Sequence, residues 1–108
     1  MLIEKPYTAD VAAGEAFAAT AREKGVAIQI GHTERYNPAS LAIGRYDIHP
    51  KFIEAHRISP YTFRSADVGV VMDMMIHDLD LVLMYAGSAA VEDVRAIGVC
   101  VIGDTEDI

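Results

Sequence analysis

A chain of 108 residues that is 52% hydrophobic and 23% charged has the composition of one globular domain, which excludes disordered, collagen-like and low-complexity classes. Sixteen acidic against nine basic residues give a formal net charge of -7, which disfavours nucleic acid and anionic membrane surfaces as partners. The single cysteine, Cys100, cannot form an internal disulfide, and we expect a buried thiol in a cytoplasmic protein.

The beginning of the chain predicts a β-α-β unit. Residues 1–6 form a short strand, and the alternation of apolar residues over 26–30 indicates a second one. Between them, apolar residues spaced by three and four predict an amphipathic helix over 9–24, capped by Thr8 and ended by Gly25. A helix of this length can cross over between parallel strands.

The pattern changes after this unit. Asn37 followed by Pro38 indicates the capped start of a short helix ending near Tyr46. Residues 51–59 are predicted to form a strand with one solvent-exposed face, and residues 61–67 a loop. Residues 68–85 are predicted to form a helix, and residues 91–102 another strand.

The helix predicted over 68–85 carries most of the candidate functional side chains. At ~100° per residue, Asp73, His77 and Asp80 lie within an arc of roughly 60°. Apolar residues cover nearly every other direction, so we expect a helix buried on most sides whose ionisable groups are paired, coordinated or lining a cavity. An alternative is that this stripe is the solvent face, with His77 and Asp73 as a surface pair.

Three fragments, in one order along nearly the whole chain, resemble the Gfo/Idh/MocA oxidoreductases. The tripeptide Glu-Lys-Pro at 4–6 resembles the EKP motif of that family, and residues 73–80 resemble its D-x-x-x-H-x-x-D helix. The Arg-Tyr-Asn-Pro loop at 35–38 is similar to the start of its substrate domain. The resemblance implies an NAD(P)-dependent dehydrogenase acting on sugars, cyclitols or nucleotide-linked sugars.

The resemblance also implies site residues, none of which binds a metal. The catalytic positions are Lys5, Asp73 and His77. The cofactor-binding positions are Glu4, Lys5 and Pro6, and the substrate-binding positions are Arg35, Tyr36, Asn37, Asp73 and His77. The side chains of His77 and Lys5 suit these roles. An imidazole can take a hydroxyl proton near neutral pH, and an ammonium group stabilises the developing alkoxide.

For the fold, the resemblance implies an α/β chain with an α+β second part. Residues 1–31 would be the C-terminal end of an NAD(P)-binding Rossmann domain, and residues 32–108 the first part of an open-sheet substrate domain. The sequence contains no G-x-G-x-x-G, which the family carries upstream of its EKP motif, so we expect a fragment that is inactive by itself. The parent would use NAD or NADP on a sugar-like small molecule, without membrane contact, as a homo-oligomer through its C-terminal sheet.

Two other classes of function are open on these residues. One is an HD-type metal-dependent phosphohydrolase, whose ligands would come from the histidines and aspartates of the chain: His32, His56, Asp73, His77, Asp78 and Asp80. That fold is helical throughout, and the predicted strands 26–30 and 91–102 argue against it. The other is a non-catalytic α/β interaction domain.

Overall fold

The structure is a computed structural model that describes residues 1–60 and 68–108. Its contacts divide the chain into two compact units, Met1–Thr33 and Glu34–Ile108. The loop predicted over 61–67 lies outside the described residues. Within them, no helix is long and apolar enough to cross a membrane.

The first unit has the predicted β-α-β order. Its strands β1 (Leu2–Ile3) and β2 (Gln29–Ile30) pair in parallel as the one sheet of the described residues. Strand β2 is shorter than the predicted 26–30. One reason is that the N–H of Val26 donates to the carbonyl of Ala21 at 2.8 Å, which commits it to the end of the preceding helix.

Helix α1 (Val11–Glu23) is bounded by local signals. The carboxylate of Asp10 accepts a hydrogen bond from the N–H of Ala13 at 2.8 Å, so Asp10 caps the helix and the predicted capping by Thr8 is wrong. Thr8 instead donates its hydroxyl to the carbonyl of Asp10 at 2.8 Å. The helix ends where predicted, because Gly25 has a φ of 64°, a conformation that favours glycine.

The segment after β1 packs closely on α1 at Gly14. A Cβ at this glycine would lie 2.9 Å from the hydroxyl oxygen of Thr8 and 3.3 Å from the ring of Tyr7. The Tyr7 hydroxyl also donates to the Gly14 carbonyl at 3.1 Å, and its ring stands 5.8 Å from that of Phe17. These contacts fix the chain immediately after Lys5.

The second unit begins with a 3₁₀ turn and a short helix. The turn spans Thr33–Tyr36 and leads directly into α2 (Pro38–Ile43). As predicted, Asn37 caps this helix and Pro38 occupies its first turn, with the Asn37 side chain accepting from the N–H of Ala39 at 3.0 Å. The helix ends before Gly44, slightly earlier than predicted.

The long helix of the second unit is not α-helical throughout. A π-helical turn over Val71–Met75 precedes α3 (Ile76–Ala86), and Gly87, with a φ of 64°, ends the helix as predicted. A π turn holds more residues than an α turn. The angle of ~100° per residue therefore applies only from Ile76 onward, and Asp73 lies at a different azimuth from the one predicted.

The prediction that this helix is buried on most sides is wrong. Met75, Leu79 and Leu83 are exposed, whereas Asp80 is the buried residue of α3. The one buried side chain of α3 is thus a carboxylate. Its partner is an arginine.

Neither predicted strand of the second unit is formed. Residues 51–59 and 91–102 contain no strand, and therefore no sheet of the α+β kind exists within the described part of 32–108. The reason is that a strand requires a neighbour to bond to. Of the predicted strand residues, Val99 makes backbone hydrogen bonds with the last two residues, at 2.8 to 3.2 Å.

The absent sheet changes two further expectations. Cys100 is exposed, so the prediction of a buried thiol is wrong, because no second layer covers its segment. The predicted association through a C-terminal sheet loses its structural basis in the described residues, although oligomerisation itself stays a prediction. Ala21 is the one hydrophobic residue that is buried among residues 1–60 and 68–108.

Candidate functional site

The first unit brings its two strand ends together at one edge. The predicted cofactor-binding residues Glu4, Lys5 and Pro6 follow β1, and Gly31 follows β2. The Glu4 carboxylate packs over Gly31, since a Cβ there would lie 2.9 Å from its Oε2 atom. Lys5 and Pro6 are partly buried and joined by a cis peptide bond. The carboxyl ends of parallel strands are the edge at which α/β sheets bind their ligands.

In the second unit, Arg35 of the 3₁₀ turn binds Asp80 of α3 through a two-pronged ion pair. Nε donates to Oδ2 at 2.7 Å and Nη2 donates to Oδ1 at 2.6 Å. The Asp80 side chain is 9% exposed and that of Arg35 is 45% exposed. The hydrogen bond to Asp80 holds the pKa of the Arg35 guanidinium above its ordinary value. Two of the three guanidinium nitrogens of Arg35, a predicted substrate contact, therefore bind Asp80. The ion pair also explains why a carboxylate is buried on α3.

A second pair of the same geometry joins Arg57 to Asp78. Nε donates to Oδ2 and Nη2 to Oδ1, both at 2.8 Å. The hydrogen bond to Arg57 lowers the pKa of Asp78, and the same bond raises the pKa of Arg57. Sequence reasoning missed this pair, because Arg57 and Asp78 lie 21 residues apart and no motif or periodicity links them. The one available signal was that Asp78 lies off the stripe formed by the other ionisable residues.

His77 precedes Asp78 and is partly buried. Its Nδ1 atom is inaccessible to solvent and has no hydrogen-bond partner among the described residues. Asp73 is also partly buried and belongs to the π turn.

The other predicted substrate contacts, Tyr36 and Asn37, differ in availability. Tyr36 is exposed. The Asn37 carboxamide is engaged at both ends, because its Oδ1 caps α2 and its Nδ2 donates to Glu34 at 3.1 Å. Asn37 thus orders the start of α2, whereas Tyr36 can reach a ligand without breaking a contact of this kind.

An open groove of about 710 Å³ lies between the extended segment 55–59 and the long helix. Its helical wall is largely apolar, with Met74, Leu79 and Val82, and the Arg57–Asp78 pair contributes the polar part. His77 and Asp73 do not line this groove. In residues 1–60 and 68–108, no group of three His, Cys, Asp or Glu side chains could hold a metal.

Comparison with known proteins identifies a relative over the whole chain. No family model matches the sequence. The UDP-N-acetylglucosamine 3-dehydrogenase of Acidithiobacillus ferrooxidans is 42% identical over 108 residues, covering 99% of this chain and 34% of that protein. Two crystal structures of that dehydrogenase, GnnA, match with TM-scores of 0.85 and 0.83. Each covers 98% of this chain and 35% of the other.

The chain thus spans about a third of the length of the relative it matches. The match covers the segment from residue 4 to residue 80, in which the motifs of the resemblance lie. This chain is a homologue of one third of a Gfo/Idh/MocA-type dehydrogenase, which confirms the family resemblance found in its motifs.

Proposed function

We propose that this chain contributes the acid-base residues of an NAD(P)-dependent dehydrogenase that oxidises a hydroxyl group of a nucleotide-linked sugar. The observation that carries this proposal is the 42% identity to a UDP-N-acetylglucosamine 3-dehydrogenase over 99% of the chain. The roles of individual residues are proposals that rest on the motif resemblance and on the local geometry of each unit.

His77 is the proposed general base. Its Nδ1 atom is shielded from solvent, so Nε2 is the nitrogen that can meet the substrate hydroxyl. When the carbinol carbon loses a hydride, the hydroxyl must lose a proton, and a neutral imidazole can accept it at Nε2. Asp73, on the adjoining π turn, is proposed to accept a hydrogen bond from a second hydroxyl of the sugar or from the His77 ring.

Lys5 is proposed to stabilise the negative charge that develops on the substrate oxygen. A lysine ammonium supplies a positive charge and three donors for this purpose. On the substrate side, the exposed ring of Tyr36 is the proposed contact of the turn, together with the part of the Arg35 guanidinium that Asp80 leaves accessible. Asn37 acts on the substrate through the position that its cap gives to α2.

The first unit has features that fit a nicotinamide cofactor. Glu4, Lys5 and Pro6 stand at the carboxyl edge of a parallel strand pair, and the glycine at position 31 gives room to the Glu4 carboxylate. The cofactor, when bound, accepts the hydride. These three residues would contact its nicotinamide half, whereas the 108 residues hold no glycine-rich turn for its phosphates. The inactivity of the chain by itself, the domain assignment, the choice between NAD and NADP and the cytoplasmic location stay predictions.

The test is His77→Gln in the parent enzyme that contains this segment, with steady-state oxidation of UDP-N-acetylglucosamine by NAD or NADP as the assay. We expect kcat to fall by roughly 10²-fold or more, the usual contribution of a positioned base, with unchanged cofactor binding. His49→Gln is the matched control, since His49 is exposed and pairs with Asp47 at 3.2 Å. A His77→Gln enzyme with full activity would remove His77 from the chemistry.

A further inference from the structure

Two ion pairs of nearly identical geometry hold α3 on either side of His77. Because α3 is α-helical from Ile76, Asp78 lies about 100° to one side of His77 and Asp80 about 60° to the other. Each carboxylate binds the Nε and Nη2 atoms of an arginine at 2.6 to 2.8 Å. The arginines come from separate segments, since Arg35 belongs to the 3₁₀ turn and Arg57 to the extended segment.

Apolar burial on this helix is incomplete. Met75, Leu79 and Leu83 are exposed, and the buried side chain of α3 is that of Asp80. A two-pronged arginine–carboxylate pair has a preferred plane and direction, unlike a contact with a single ammonium. Two such pairs on different flanks restrain the helix against turning in either direction about its axis.

We propose that Arg35 and Arg57 are positioning residues, which bind Asp80 and Asp78 on the two flanks of α3 and so fix the direction in which His77 points. The inference deepens the proposed function and rests on it for its catalytic consequence. The orientation itself is a structural property that can be measured without turnover.

The expected sensitivity follows from the dimensions of a helix. A ring nitrogen about 5 Å from the helix axis moves by about 1 Å when the helix turns by about 12°. A displacement of this size at a reacting group can lower a rate by as much as ~10²-fold. Loss of one pair, with the other intact, should allow part of this movement.

The experiment compares variants of the parent enzyme by histidine-selective NMR and by kinetics. The variants are Asp80→Asn, Asp78→Asn, Arg35→Lys and Arg57→Lys, and His77→Gln assigns the His77 ring signals. We expect altered His77 ring shifts and a kcat lowered by about tenfold, with a KM within about twofold of the original value in the Asp80, Asp78 and Arg57 variants. The lysine variants keep the charge but lose the two-pronged geometry, and so should lower kcat as the asparagine variants do. Arg35→Lys should in addition raise KM, because Arg35 is also a proposed substrate contact. Asp93→Asn is the control, because it removes the same charge from the exposed Arg95–Asp93 pair.

Unchanged His77 shifts and unchanged kcat in the Asp80 and Asp78 variants would overturn the proposal and leave the pairs a purely stabilising role. If the Asp80 variant fails to fold, Arg57→Lys still tests the proposal. The Asp78 side chain in that pair is less buried than Asp80, at 20% against 9% exposure. Full activity of His77→Gln would instead refute the proposed function. In that case, the ring shifts still decide whether the pairs orient the imidazole.

Discussion

Helices α1 and α3 are of similar length but are held in different ways. Helix α1 has a side-chain cap at Asp10 and a glycine at its end, and both act on backbone within a few residues. Helix α3 has no side-chain cap at its start, where a π turn replaces it, and two arginines from distant segments bind its carboxylates. The bounds of α1 are thus a local property, whereas the setting of α3 depends on long-range contacts.

We propose that this difference reflects different demands on the two helices. A helix that serves only to connect two strands needs its ends defined, and α1 has that. A helix that presents a proposed general base needs its rotation defined as well, which end caps do not provide. The two arginine–aspartate pairs supply this restraint on the helix that carries His77.

Among substitutions that test this difference between α1 and α3, Asp80→Ala is expected to have the largest effect on stability. Asp80 is 9% exposed, and its removal leaves the Arg35 guanidinium without the partner that orients it. Loss of a fully buried partner costs about 3–5 kcal/mol, but Arg35 can be hydrated, so we expect about 1–3 kcal/mol. Amide hydrogen exchange of α3 should accelerate accordingly, while α1 is unaffected. Exchange of α3 at the original rate would show that the pair contributes nothing to its stability.

A smaller effect is expected at the other helix from Asp10→Ala. The Asp10 carboxylate satisfies the N–H of Ala13 at 2.8 Å, and loss of an N-cap costs about 1 kcal/mol. Amide exchange in the first turn of α1 is the measurement, with α3 as the internal reference. The contrast between the two helices fails if this substitution also loosens α3 or leaves the start of α1 unchanged.

The smallest effect concerns acid pH at the end of the chain. The Asp107 carboxylate accepts hydrogen bonds from the N–H groups of Val101, Ile102 and Gly103 at 2.7 to 3.2 Å, which lower its pKa from 3.8. A carboxyl whose pKa is lowered on folding stabilises the fold above its unfolded pKa, and this contribution is lost as pH falls through the folded pKa. The loss therefore occurs below about pH 3.8.

The amide proton shifts of residues 101–103 measure this titration directly. We expect a common midpoint below 3.8, which Asp107→Asn abolishes. A midpoint at or above that value would mean that the carboxylate does not bind these amides in solution.

The sequence by itself determined the features that depend on neighbouring residues. Asn37 with Pro38 starts α2, Gly25 and Gly87 end their helices, and the motifs at 4–6 and 73–80 identify the family. Each of these signals acts within one turn or strand, so one stretch of sequence contains all of the relevant atoms. The cap of α1 was predicted two residues too early, at Thr8 rather than Asp10, because both side chains have the right chemistry.

Only the tertiary structure decided which charges pair and which side of α3 is buried. Arg35 and Asp80 are 45 residues apart, and Arg57 and Asp78 are 21 apart, so no periodicity links them. The same holds for the segments 51–59 and 91–102, whose strand-like composition does not produce strands without a neighbour to bond to. Ion pairs and sheets depend on which segments meet in space, and a single stretch of sequence does not contain that information.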